Sequence, residues 1–302
     1  TDTVLTFCLL AALILIIVET AQILHLDFGG VVSTIQHNEH FRIFEFNDWQ
    51  SKQNFFKQFF SGIFIVIVMT GLDQDMMQKN LSCKNLKEAQ KNMYCYGFSF
   101  IPVNFLFLCL GILLLVLGQS MNLTLPALAD DILPMFAAQG YLGPSVLILF
   151  SIGIIAASFS SSDSALTSLT TSFCVDILGI GKESEEVATR KRRRVHFGMS
   201  VALVLVIIIF QIVNNKSVID AIYTIASYTY GPLLGLFAFG LFTRLQPRDK
   251  YVPYVAVASP VICYTISSLV EQHTGYKFGY EMLMFNGTLT FAGLLLISQK
   301  NK

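Results

Sequence analysis

The fold class predicted for this chain is an all-α membrane protein of about eight transmembrane helices, and three observations predict it. First, hydrophobic residues make up 54% of the 302 and charged residues only 13%, against roughly 45–50% and ~25% in soluble domains. Second, eight apolar runs approach the ~20 residues a bilayer requires. Third, the basic residues alternate between connections. Lys79, Lys84, Lys87 and Lys91 lie between the second and third runs. Lys182, Arg190, Lys191, Arg192, Arg193 and Arg194 lie between the fourth and fifth, Arg244, Arg248 and Lys250 between the sixth and seventh, and Lys300 and Lys302 in the tail. The other side holds only Arg42, Lys52, Lys57, Lys216 and Lys277. Counted by the positive-inside rule, this places the first set and both ends in the cytosol, the C-terminus included, in a cell membrane (plasma or inner). A zero formal net charge gives no basic footprint for nucleic acid.

The runs span about 3–24, 57–78, 95–118, 145–177, 195–214, 218–243, 251–271 and 281–298, here A to H. The first residue is Thr1 and A begins almost at once, so the chain is expected to be the C-terminal part of something longer. Asp2, at the edge of A, reads either as an interfacial carboxylate or as a ligand near an ion path. The A–B connection, about 25–56, is long and polar. Its His25, His37 and His40 lack zinc-site spacing, and Trp49 with the following phenylalanines suits an interfacial belt. The six cysteines read as free thiols, most in apolar segments and Cys83 and Cys95 in or beside a cytosolic loop.

Segment B stops early: its apolar run from Phe59 ends at Leu72, after Thr70-Gly71, and turns polar at Asp73-Gln74-Asp75. Either it is a discontinuous helix of the kind that builds transporter sites, or a short span ending at Leu72. Segment C is uncharged, with Asn104 as a candidate bridge between helices. The C–D connection reads as a short amphipathic helix between proline and glycine stops. In F, Gly231-Pro232 marks a kink, and Tyr223, Tyr228 and Tyr230 either line a solute path or pack. G and H, with little polarity, are expected at the periphery.

Segment D is the least ordinary. From Ala156 to Asp176 it reads AASFSSSDSALTSLTTSFCVD. On a helix, Ala157, Ser160, Ser161, Asp163, Ser164, Thr167, Ser168 and Thr171 share one broad face. Small residues let helices approach closely, which covers the alanines and some serines. Asp163 is different, because a charged carboxylate facing lipid at mid-bilayer costs about 2.5–3.5 kcal/mol on insertion scales. No lysine or arginine lies at comparable depth, so a bound cation or a proton is the economical partner. Hydroxyl and carbonyl oxygens with one carboxylate suit a hard monovalent ion such as sodium.

Together Thr1-Asp2, the Thr70-to-Gln78 stretch, and the serine-rich helix with Ser160-Ser161, Asp163-Ser164 and Asp176-Ile177 resemble the sodium:solute symporter family, in a bacterial-type member. The resemblance spans essentially the whole chain. It implies a partial leucine-transporter-like fold of inverted repeats within one transmembrane domain, 1–302. In that scheme 1–24 is the last helix of the first repeat, 57–243 the second repeat and 251–298 peripheral. It further implies a sodium site with the Ala157 carbonyl and the Ser160 and Ser161 hydroxyls. A second ion site would draw on Asp2, Asp163 and Ser164, with Ser160 shared, although Asp163 stands where such members often carry a hydroxyl. The solute path would pass Met69, Thr70, Gly71, Gln74 and Tyr223. Sugar carriers place polar and aromatic groups just before the break, where this chain has Val66 and Met69, so sugar is not indicated. The remaining sodium ligands belong to the first core helices, so this stretch alone is not expected to transport.

The expected function is sodium-coupled symport of a small organic solute, with sodium as coupling ion, the lipid bilayer as surroundings and no cofactor. The alternative is a transporter-like sensor or scaffold serving a signalling domain, for which the encoded sequence beyond Lys302 discriminates. An enzyme is not expected: a serine hydrolase using Asp163 would lack a histidine or lysine base at bilayer depth.

Overall fold

The computed structural model describes residues 2–213 and 217–299; the side chains of 2–5, 182 and 213 fall outside that description. Of the basic residues used to orient the chain, Lys182 (side chain), Lys216, Lys300 and Lys302 are therefore not described. In chain order the helices are α1 (Asp2–Ile23), α2 (Phe28–Gln36), α3 (Phe55–Gly71), α4 (Gln74–Leu81), α5 (Leu86–Ser120) and α6 (Ile132–Ala138). There follow α7 (Pro144–Ser172), α8 (Glu185–Val213), α9 (Val218–Phe242), α10 (Val252–Thr274) and α11 (Met282–Ile297). Two-residue strands β1 (Gln246–Pro247) and β2 (Ser298–Gln299) pair antiparallel.

Six helices among the described residues, α1, α5, α7, α8, α9 and α10, are long and apolar enough to cross a membrane, consistent with an all-α multi-pass membrane protein. Segment B is a seventh candidate, built as α3 and α4 with a 60° bend at the break. Segment H is the 16-residue α11, about 24 Å long at 1.5 Å per residue. Its length falls short of the ~30 Å hydrocarbon core.

By internal packing the chain divides into two compact units, one of Thr1–Phe41 with Gln78–Ser217, the other of Arg42–Met77 with Val218–Lys302. In the first unit, Leu13 and Ile16 of α1, Leu110, Leu114 and Leu117 of α5, Phe136 of α6, and Val146 and Phe150 of α7 form one core. The C–D connection forms the short helix α6, with Phe136 and Ala137 buried in that core, in keeping with the short amphipathic helix its pattern predicts. Two segments extend beyond their apolar runs. Helix α5 starts at Leu86 under an Asn85 cap, whose Oδ1 accepts from the Glu88 N–H at 3.0 Å. Helix α8 starts at Glu185 and carries Arg190 to Arg194, which the sequence reading leaves in a loop. Acidic Glu185 and Glu186 in its first turn favour this early start. Among the described residues Asn104 bridges no helices; its Nδ2 donates to Phe100 O of its own helix at 2.8 Å.

The second unit is held by polar contacts that the sequence reading of G and H does not anticipate. Pro232 lies inside α9 and has no N–H to offer the carbonyl four residues back, at Tyr228. Asn286 of α11 supplies the missing donor: its Nδ2 donates to Tyr228 O at 2.7 Å and to Ser227 O at 3.2 Å. Its Oδ1 accepts from Ser259 Oγ of α10 at 2.7 Å. The approach requires Gly231 and Gly235. A Cβ on Gly231 would sit 2.3 Å from the Asn286 amide, and one on Gly235 would sit 2.6 Å from Gly287 O. Helix α11 is thus deeply packed within its unit, with Asn286 and Thr290 fully buried.

A second polar knot ties α3 to α11. Lys57 Nζ lies 4.0 Å from Glu281 Oε1 and 4.0 Å from the Tyr276 ring centroid, and the Lys57 and Glu281 side chains are each 10% exposed. The Tyr276 hydroxyl donates to Glu281 Oε1 at 2.9 Å, and that of Tyr280 to Asp220 Oδ1 at 3.0 Å. Burial, then the carboxylate each hydroxyl serves, pushes both phenols up to about 12.

Asn286→Ala leaves the buried Tyr228 carbonyl without its side-chain donor, while the Ser259 hydroxyl loses the amide oxygen and keeps the backbone carbonyl of residue 286 at 3.0 Å. The expected loss is ~2–3 kcal/mol, read as a lower unfolding midpoint in detergent; an unchanged midpoint would mean that another donor serves Tyr228.

The two phenols make a pH prediction. Because their folded values lie above the ordinary 10, their contribution is complete below pH 10 and is lost as pH rises toward 12. Ultraviolet titration of tyrosinate should show one late-titrating ring fewer in each of Tyr276→Phe and Tyr280→Phe.

Candidate functional site

Helix α7 runs unbroken from Pro144 to Ser172 and ends in a π-turn, Phe173–Ile177, that contains Asp176. Its neighbour α1 approaches closely at a glycine: a Cβ on Gly153 would lie 2.8 Å from Leu9 Cδ2. Leu13 and Ile16 share a core with Val146 and Phe150, so the two helices run antiparallel. Asp2 lies seven residues before Leu9, and Ser160 seven after Gly153. At about 1.5 Å per residue the start of α1 is level with the serine pair. The side chain of Asp2 itself lies outside the described residues.

Burial divides the polar face of α7. Its centre is covered: Gly153 and Ser168 are buried, and Ala157, Ser160, Ser164 and Thr171 half-buried. Close packing accounts for these small side chains. The edges are open, with Ser161, Asp163 and Thr167 exposed. The three expected sodium ligands therefore stand as Ala157 and Ser160 on the covered side with Ser161 beside them, one turn apart. The expected second site has Ser164 covered and Asp163 exposed. Hydroxyls of the ladder already have protein partners, among them Thr171 Oγ1, which donates to Thr167 O at 2.8 Å, and Thr170 Oγ1, 3.2 Å from His196 Nδ1 of α8. Ser168 Oγ is buried with no hydrogen-bond partner among the described residues.

Segment B bends by 60° between α3 and α4, a geometry that a discontinuous span and a short span followed by a separate polar helix share, and one residue starts the second piece. The Leu72 N–H closes α3 onto Val68 O at 3.1 Å. Asp73 then starts α4: its Oδ1 accepts from the Met76 N–H at 3.0 Å and its carbonyl from Met77 N at 3.0 Å. An aspartate in this position satisfies an orphan amide and opposes the helix dipole. Met69 and Thr70 are half-buried before the break, and Gly71 and Gln74 exposed at it. Nothing lies within 4 Å of where a Gly71 Cβ would be, so this glycine leaves the break open rather than packing it.

Tyr223 stands apart from these four. Its ring packs on Tyr280 at 5.2 Å, near the start of α9. The residue of α9 nearer the break is Tyr230, within electrostatic reach of Asp73. The two tyrosines are seven residues, about two helical turns, apart, and only the fold reveals that Tyr230 is the one within electrostatic reach of Asp73. Among the described residues, no three His, Cys, Asp or Glu side chains converge as metal ligands; a sodium site of hydroxyls and carbonyls is of another kind. All six cysteines are free thiols.

Asp73→Ala removes the α4 cap at a cost of ~1 kcal/mol. Amide exchange at Met76 and Met77 should accelerate about five-fold, while that of mid-α3 residues such as Ile65 stays unchanged. Equal acceleration in both helices would mean that the break is not an independent joint. No protein-family model matches the chain, and no curated protein does so; its residues alone carry the functional reading.

Proposed function

We propose that this protein is the ion-binding part of a secondary active transporter, a sodium-coupled symporter of a small organic solute in the sodium:solute symporter family. The observation that carries the reading is the carboxylate and hydroxyl edge of α7, level with the start of α1 and left over once packing is accounted for. Asp163 and Ser161 are exposed there, next to the half-buried Ser160 and Ser164. A monovalent cation held by the Ala157 carbonyl, Ser160 and Ser161 would replace its hydration shell with fixed oxygens. Asp163 and Ser164, together with Asp2, would form the second ion site.

The capped break between α3 and α4 supports the same reading. Discontinuous helices put free backbone groups where a solute can use them, and Met69, Thr70, Gly71 and Gln74 line this one. Ion binding would stabilise one arrangement of the site and admit solute at the break. Release of sodium down its gradient would then drive the solute inward. The basic connections place that inward side at the B–C, D–E and F–G loops.

Binding of radioactive sodium to the full-length protein tests the proposal. Ser160→Ala and Ser161→Ala should each weaken sodium affinity about ten-fold, the value of one lost ligand to a charge. Asp163→Asn should weaken it by a similar factor if the second site fills in the same range. Binding that choline displaces as well as sodium does, or that survives both serine changes, would overturn it.

A further inference from the structure

At the far end of the α7 ladder the structure holds a cleft that neither ion site uses. It is an open groove of about 500 Å³ between α7 and α8. Thr167, Thr170 and Thr171 line it from α7; Arg192, Arg193, His196 and Ser200 line it from α8. No carboxylate is among its walls. Among the described residues neither arginine is in an ion pair, whereas neighbouring Lys191 is bound to Glu183. Arg193 also borders an adjoining groove with Glu185 and Glu186.

The donors in this cleft select an anion. Each guanidinium offers five N–H groups in a planar fork matched to phosphate or carboxylate oxygens. His196 is held at Nδ1 by Thr170, which leaves its Nε2 free to turn to the cleft. The Thr171 and Ser200 hydroxyls donate to backbone carbonyls of their own helices, so the arginines carry the recognition.

The surroundings select the source of that anion. The cleft sits where the basic run of α8 gives way to its apolar run. From Phe197 at its wall, Val201, Val204 and Ile208 follow on one helical face, and all four are exposed, at 73%, 45%, 55% and 47%. A soluble anion has no use for such a stripe; an acyl chain does. Basic pockets between spanning helices at this level suit phospholipid headgroups.

We propose that the α7–α8 cleft binds the headgroup phosphate of an anionic phospholipid through Arg192 and Arg193, with an acyl chain lying along Phe197, Val201, Val204 and Ile208. The site is separate from the sodium ligands and stands whether or not those bind sodium. It requires only that α7 and α8 cross a membrane.

The test is native mass spectrometry of the full-length protein from nanodiscs of phosphatidylcholine doped with phosphatidylglycerol. The wild type should retain phosphatidylglycerol selectively. Arg192→Gln with Arg193→Gln should lower that retention about 25-fold, roughly five-fold per arginine. Arg190→Gln with Arg194→Gln, the same charge change on the same helix, should lower it less than about two-fold, and Val204→Asn should lower it with no change of charge. Equal losses in the two arginine pairs would reduce the cleft to diffuse attraction, and displacement of the lipid by millimolar inorganic phosphate would make it a site for a soluble anion. Either result overturns the proposal, as does an absence of selectivity in the wild type.

Discussion

A peptide group inside a bilayer has no water to bond with, so every interruption of a helix must be closed by the protein itself. That constraint bears on the irregular features of this molecule. Pro232 withholds a donor from Tyr228, and Asn286 of another helix provides it. Helix α3 ends after Gly71, and the Asp73 side chain takes up an amide of the next helix. At the other end of α3 the buried Asn54 caps Phe56 N and donates to the carbonyls of Phe46 and Asp48. A span broken at Asp73 and a helix kept whole through Pro232 are two answers to one problem. In the proposed function the first leaves backbone accessible for a ligand; the second hides it.

Helix association follows from the same surroundings. Lipid is as apolar as leucine, so helices gain by approaching closely and by hydrogen bonding rather than by leaving water. Glycines make such approaches at Gly153 against Leu9, at Gly231 and Gly235 against α11, and at Gly293 of α11 against Val255 of α10. Small hydroxyl residues serve that purpose equally well, which is why a serine ladder is ambiguous in a sequence. Structure divides the ladder by cover: Ser164 and Ser168 lie against neighbours, and Ser161 and Asp163 do not. Packing accounts for the first pair and leaves the second to chemistry.

Much of the helical order was legible because hydropathy reports a solvent, and the solvent is the same along each span. The seven candidate spans and the short α11 fall within a few residues of the apolar runs, except where a charged stretch stays helical. Arg190 to Arg194 look like a loop because they are charged, yet good helix formers behind an acidic first turn continue α8 into water. What could not be read was partner choice. Asn104 and Asn286 are both lone amides in apolar segments; one folds onto its own helix and the other repairs a neighbour. Tyr223 and Tyr230 differ by two turns, and only the placement of Asp73 and Tyr280 separates them. Glu281 and Lys57, 224 positions apart in the sequence, meet only through the packing of α3 on α11.

Charge near a membrane can be met in three ways, and the molecule sorts its charged groups among them. Lys57 is buried and is met internally, by Glu281 at 4.0 Å and the Tyr276 ring, with no hydrogen bond to its Nζ among the described residues. The run from Arg190 to Arg194 sits where α8 leaves its apolar stretch, and water and headgroups meet it there. Asp163 has neither solution within the span, because no lysine or arginine accompanies it at that depth and its neighbours on the helix are hydroxyls. Hydroxyls soften a carboxylate without neutralising it, and a permanent counter-charge would silence it. A site meant to take up and release a cation needs that intermediate condition: enough oxygen to replace a hydration shell, and no resident charge to compete. In the proposed function sodium completes Asp163 as Glu281 completes Lys57, with the difference that sodium can leave.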